Sequence, residues 1–198
     1  MKISIIPAGM YMTNCYIIVD EKTNDSIIID PGDAPNKILK AFKDTNSNLK
    51  FILLTHGHAD HTAAVSELIK EYDIDVYMNE KDVKLINNGE YMFGKKEENA
   101  NKYVNDNDEL QFGSLKVKCI ETPGHTPGGM CYLIDNFLFS GDTLFNNSVG
   151  RTDLPGGDFN ALVDSVKKLI KLDDSTIVYP GHGGETTIEH EKMSNPFI

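Results

Sequence analysis

Residues 53–62 read LLTHGHADHT, so three of the chain's six histidines and an aspartate crowd between His56 and His61. Imidazoles and carboxylates gathered this densely suit a borderline divalent ion such as zinc. His56 and His58 stand two positions apart and would point roughly 200° apart on a helix. They can converge only from an irregular loop, and Gly57 between them permits the tight backbone path. The spacing differs from H-E-x-x-H, in which two histidines four apart share a helical face.

Four further apolar runs also end in polar groups. IIID stops at Asp30, KCIETPGH delivers His125, FLFSGD delivers Asp142 and TIVYPGH delivers His182. Five of the six histidines thus sit just beyond a strand-like run, beside glycine or proline. In α/β proteins, sites collect outside the carboxyl ends of strands, where loops converge. One such histidine is by default a core residue; five placed alike are not. His190, in a charged segment near the end, reads as surface. The candidate ligands are His56, His58, Asp60, His61, His125, Asp142 and His182. One tetrahedral zinc takes three or four protein ligands, so this set suits two metals sharing a carboxylate.

Strands must carry these loops. Short apolar runs bounded by turn residues predict them at 2–7, 15–19, 27–29, 51–54, 115–120, 130–134, 137–139 and 176–179. Helical patterns lie at 34–44, 62–72, 80–87, 158–172 and 185–193, with Asp158 as an N-cap. Strands outnumber helices and several are adjacent, which predicts mixed sheets covered by helices rather than an alternating parallel sheet. No Pro/Ser/Gly linker divides the chain, so one domain is expected over 1–198. The polar segment from Asn87 to Asp108 carries Tyr91, Met92 and Phe93. It reads either as a lid or substrate loop or as a solvated helix with a charged face.

Bulk properties narrow the partners. Thirty acidic against nineteen basic residues give a formal charge of −11, and no Lys/Arg stripe stands out. Nucleic acid and anionic membrane surfaces are therefore not expected, and a small-molecule substrate is. The apolar runs are too short to cross a bilayer, and MKISIIPAG, broken by Pro7, makes a poor signal peptide. Cys15, Cys119 and Cys131 form no C-x-x-C and lie among strand-like residues, the pattern of small buried side chains in a reducing cytoplasm.

THGHADH, TPGHTPGG, SGDTLF and YPGHG resemble the metallo-β-lactamase superfamily, and within it the glyoxalase II-like (hydroxyacylglutathione hydrolase-like) enzymes. The likeness spans nearly the whole chain, from TNCYIIVD to NPF. It implies an α/β protein: a four-layer αββα sandwich of two mixed sheets with helices outside and a dinuclear site at one edge. By this resemblance His56, His58 and His125 hold one metal, and Asp60, His61 and His182 hold the second. Asp142 and a hydroxide bridge them, and Asp30 orients the ligands from behind. The implied cofactors are two divalent ions, zinc foremost, with iron or manganese as alternatives. The implied reaction is hydrolysis of a thioester by the bridging hydroxide, with Asp60 and Asp142 as the catalytic carboxylates. A thiol, with a pKa of about 8.5, leaves without a strong general acid.

Sixteen residues follow His182, room for one short helix, which implies a short form without the C-terminal helical domain of larger glyoxalase II enzymes. Arg151, in NNSVGRTDLPGGD, falls where the family often places a basic residue near the cleft, so the expected substrate is an anionic thioester. A salt bridge from Arg151 to Asp153 or Asp158 is the alternative. Two rival activities share the motif set: persulfide dioxygenases, with one iron held by two histidines and an aspartate, and lactone or ester hydrolases of the same fold. Monomer and homodimer are both open.

Overall fold

The computed structural model describes residues 1–198. Its first half builds a mixed six-stranded sheet from β1 (Lys2–Ala8), β2 (Thr13–Val19), β3 (Asp25–Ile29), β4 (Asn48–Leu53), β5 (Asp75–Met78) and β6 (Lys102–Tyr103), in that spatial order. β1 to β3 pair antiparallel, and β3 to β6 pair parallel. The crossovers between parallel neighbours contain α1 (Pro35–Thr45), the single turn α2 (Ala59–Thr62), α3 (Val65–Glu71) and α4 (Glu80–Asn88).

The second half begins with β7 (Glu109–Phe112), β8 (Leu115–Glu121), β9 (Met130–Ile134) and β10 (Phe137–Gly141), an antiparallel meander. A two-stranded hairpin follows, β11 (Leu144–Phe145) and β12 (Ser148–Val149), then α5 (Phe159–Leu169). β13 (Ile177–Pro180) returns parallel to β10, with β14 (Thr186–Thr187) at its edge and α6 (Ile188–Ser194) last. The second sheet is ordered β14-β13-β10-β9-β8-β7. No helix is long and apolar enough to cross a membrane.

Side chains alternate across a strand, and that period of two sorts β2 between two cores. Tyr16 and Ile18 face the second sheet, packing with Ile27, Phe51, Tyr132 and Phe139. Cys15 and Ile17 face outward, onto Ile38 and Phe42 of α1 and Val65 and Leu68 of α3. On the far side, Ile120, Leu138 and Val178 pack against Val166 and Leu169 of α5 and Ile188 of α6. Three cores between four layers make the αββα sandwich. The three cysteines are free and buried within them.

Most expected elements are present. The helical pattern at 62–72 is broken into α2 and α3, and α2 starts early enough to include Asp60 and His61. Asp158 caps α5, accepting the Ala161 N–H at 3.0 Å. The segment 87–108 holds the end of α4, one 3-10 turn at Lys96–Glu98 and β6. It is stitched down: Ala59 N–H donates to Met92 O and Gly94 N–H donates to Gly57 O, both at 2.9 Å. Buried Glu98 accepts from Lys95 N–H and from the Thr62 hydroxyl.

Candidate metal centre

The carboxyl ends of β3, β4, β8, β10 and β13 open onto one rim of the sandwich, and the loops beyond them carry Asp30, His56 to His61, His125, Asp142 and His182. His56, His58 and His125 present one ligand atom each, as do Asp60, His61 and His182, all within 4.8 Å of one another inside each trio. Asp142 spans the two groups. Its Oδ2 lies 3.6 Å from His125 Nε2 and 3.5 Å from His182 Nε2, and its Oδ1 lies 3.5 Å from His61 Nε2. The structure therefore brings all seven predicted ligands together.

Several of these histidines are fixed from behind. His125 Nδ1 meets the Arg151 carbonyl at 2.7 Å and His182 Nδ1 meets the Tyr11 carbonyl at 3.1 Å. A carbonyl carries no proton, so each Nδ1 donates, and each Nε2, turned inward, is the nitrogen left to ligate a cation. His61 Nδ1 is held by Asp30 Oδ2 at 2.9 Å, and the same carboxylate accepts from the Thr55 amide at 2.7 Å and hydroxyl at 2.6 Å. Asp30 adopts a left-handed backbone, φ 49°, at the end of β3. That conformation costs about 1 kcal/mol for a non-glycine residue, and it belongs to the residue that orients His61. Thr13 donates its hydroxyl to Asp60 Oδ2 at 3.0 Å. Gly181 is required by close approach, since a Cβ there would lie 2.2 Å from Asp142 Oδ1.

The fit to metal shows in what these residues lack. His56 Nε2, His58 Nε2, His61 Nε2 and Asp142 Oδ1 are buried without a hydrogen-bond partner. A buried polar atom left so costs about 1–3 kcal/mol, and His56, His61 and Asp142, three of these residues, offer ligand atoms within 4.8 Å of one another, which fits ligation by a cation. Burial holds His56 well below its ordinary value and pushes His58 down to about 3, so both are neutral donors at pH 7. Despite its burial, His61 is pushed up to about 9 by Asp142 and Asp30, and His182 up to about 10 by Asp142 and Asp60. The acidic side of the cluster thus demands positive charge, which divalent ions supply.

One residue outside the predicted set organises it. Asp82, in the first turn of α4 and fully buried, accepts the Gly57 N–H at 2.8 Å with Oδ2 and the Gly128 N–H at 2.7 Å with Oδ1. It clamps the loop of His56 and His58 to the loop of His125. In sequence it is indistinguishable from an ordinary acid in a helix's first turn. Phe93, from the segment read as a lid or helix, is buried with its ring 4.8 Å from that of His58.

A cavity of about 440 Å³ opens over the cluster, walled by Tyr11, Met92, Phe145, Val149 and Leu154, with Arg151 on its lining. The Arg151 side chain is engaged: its Nε and Nη2 each donate to one Asp153 oxygen at 2.7 Å. The structure thus contains the salt bridge to Asp153 and also places Arg151 at the cleft.

Residues 8–182 match the family model of the metallo-beta-lactamase superfamily. A hydroxyacylglutathione hydrolase, GloC, of Haemophilus influenzae is 36% identical over the whole of this chain and 98% of its own length. Among solved structures, the BLEG-1 B3 metallo-beta-lactamase superposes with a TM-score of 0.91 at 33% identity, covering 99% of both chains. TTHA1623, crystallised in a di-iron-bound form, superposes with a TM-score of 0.87 at 34% identity, covering 98% of this chain and 100% of its own.

Proposed function

The chain belongs to the metallo-beta-lactamase superfamily, and from that premise we propose that it is a metal-dependent hydrolase cleaving a thioester at a dinuclear site. The observation that carries this reading is the pair of ligand trios with Asp142 facing both, beneath a cavity of substrate size. His56, His58 and His125 would hold one ion and Asp60, His61 and His182 the other, with Asp142 shared. Ions held there supply Lewis acidity toward a carbonyl oxygen and toward water.

The chain's own residues set the rest. The Tyr11 and Arg151 carbonyls, with Asp30, hold three imidazoles in the tautomer that ligates. Asp60 and Asp142 are held below the usual carboxylate range: burial opposes their ionisation, but the neighbouring histidines outweigh it. They are charge-bearing groups at neutral pH, not acids able to protonate an amine as it leaves. Hydrolysis of a thioester needs no such acid. Water oxygen bonds the acyl carbon, the C–S electron pair departs on sulfur, and the products are a carboxylic acid and a thiol. The reading accords with the name of the Haemophilus relative, whose thioester is a hydroxyacylglutathione.

An iron-dependent oxygenase would need only two histidines and one carboxylate. His56, His61 and Asp142, whose ligand atoms lie within 4.8 Å of one another, could provide them, so the number of ions bound and the products formed decide between the two readings. Metal analysis of protein purified without added metal, run beside thioesterase and oxygen-uptake assays, tests the choice. Close to two ions per chain, with thiol release and no oxygen uptake, is expected. One iron per chain with oxygen consumption would overturn the proposal.

A further inference from the structure

Taking the thioesterase reading as given, the cavity walls identify what kind of arm the substrate extends from its scissile bond. Beyond the metal ligands the walls are apolar except for Ser148 and Arg151, and of the Lys and Arg residues only Arg151 lines the cavity. A second cavity of about 320 Å³ adjoins it, shares Tyr11 and Asp60 with it, and is lined otherwise by Ala8, Gly9, Met10, Ala59, Ala63 and Asp33. Neither cavity is lined by a lysine. The two loops at the mouth expose Met10, Tyr11, Met12 and Tyr91, each more than half accessible.

Arg151 does not make up the deficit. Both nitrogens of one edge of its fork are bonded to Asp153, so the pair carries no net charge toward the cavity. The pair is exposed and individually weak, so a substrate carboxylate could displace Asp153. That would exchange one carboxylate for another on the same fork, with little net gain, and leave the displaced Asp153 as a repelling neighbour. Exposed apolar area at the mouth, by contrast, gains whenever an apolar group covers it.

We infer that the substrate's arm remote from the reacting carbonyl is uncharged and apolar, an aliphatic or aromatic group seated against Tyr11, Met92 and Leu154, and not an arm recognised through free carboxylates.

The test compares acyl thioesters of N-acetylcysteamine, which is neutral, with glutathione thioesters of the same acyl groups. For the metal-loaded protein, kcat/KM should rise about threefold to fourfold per added methylene until the cavity is filled. The neutral carrier should be used at least as well as glutathione at every chain length. Leu154→Ala should flatten the chain-length dependence. Asp153→Asn, which frees Arg151 at an exposed site, should lower KM for the glutathione series by about threefold or more and leave the neutral series unchanged. A glutathione preference of tenfold or more in the unaltered protein, no chain-length dependence, or no response to Asp153→Asn would overturn the inference. Should no thioester be cleaved at all, the thioesterase reading falls by itself. Calorimetry with the uncleavable S-hexyl-N-acetylcysteamine and S-hexylglutathione then decides the inference separately: tighter binding of the neutral thioether upholds it, and tighter binding of S-hexylglutathione overturns it.

Discussion

Removing the Asp82 carboxylate should loosen the metal centre without touching a ligand. In Asp82→Ala, the Gly57 and Gly128 N–H groups lose their acceptor inside the protein. Each unsatisfied buried donor costs about 1–3 kcal/mol, or roughly 2–6 for the pair. Part of this is returned, because burial already pushes the Asp82 carboxyl above its usual range and neutralising it relieves that penalty. A net loss of about 3 kcal/mol, equivalent to about 6–12 °C in Tm for a chain of this size, is the expected size. Asp82→Asn is the sharper variant. It keeps the shape and one acceptor, but turns an amide N–H toward one of the two glycine donors. Chelator competition on the folded Asn variant should show metal affinity lowered about 10–100-fold, the range expected for groups that orient ligands. Amide exchange at Gly57 or Gly128 should quicken while that of the sheet cores holds. An Asn variant that melts within 2 °C of the parent and keeps full metal affinity would refute the clamp.

Asp142→Ala should lower bound metal and reduce kcat by several orders of magnitude, since Asp142 faces both trios; full occupancy with near-normal turnover would count against a dinuclear centre. Chelator-treated protein should lose several degrees of Tm as pH rises from 7 to 10. His61 and His182 are raised to about 9 and about 10, so their contribution is full below the unfolded value of about 6.5 and disappears as pH climbs through those two values. Metal-loaded protein should be flat over the same range, and identical melts with and without chelator would contradict the linkage. Gly181→Ala should weaken metal binding, because its Cβ would intrude on Asp142 Oδ1 and His61 Cε1 at 2.2 and 2.8 Å; unchanged affinity measured by chelator competition would show that the loop yields. Arg151→Ala should retain metal within about twofold, since the main-chain carbonyl and not the side chain meets His125, and metal loss on dialysis would contradict that.

The ligand residues were legible because histidine and aspartate beside glycine, just past an apolar run, form a local signal at each position. β2 and β10 were legible by composition. β5, β7 and the two-residue strands were not, because DVYM and ELQF are only four residues long and each opens on an acidic residue. Thr62 to Tyr72 read as one helix and forms two, since α2 must turn to bring His61 under Asp30 before α3 packs on the sheet. Asp82 and the carbonyls of Tyr11 and Arg151 left no trace in the sequence. A backbone oxygen has no residue type, and a clamp between loops exists only once both are folded. The lid-or-helix question over 87–108 failed for a related reason. What seats Phe93 is backbone pairing with the His58 loop, which composition does not encode.

Tyr11 and Arg151 each face two ways. Their side chains line the cavity, while their carbonyls hold His182 and His125. Point substitution at either position alters what the substrate meets and spares the oxygen on which the histidine depends. Inserting or deleting a neighbouring residue displaces that oxygen and unseats the histidine. Selection acting on these loops can therefore explore side chains freely at fixed length, and substrate preference can diverge among descendants while the inorganic chemistry beneath is inherited intact.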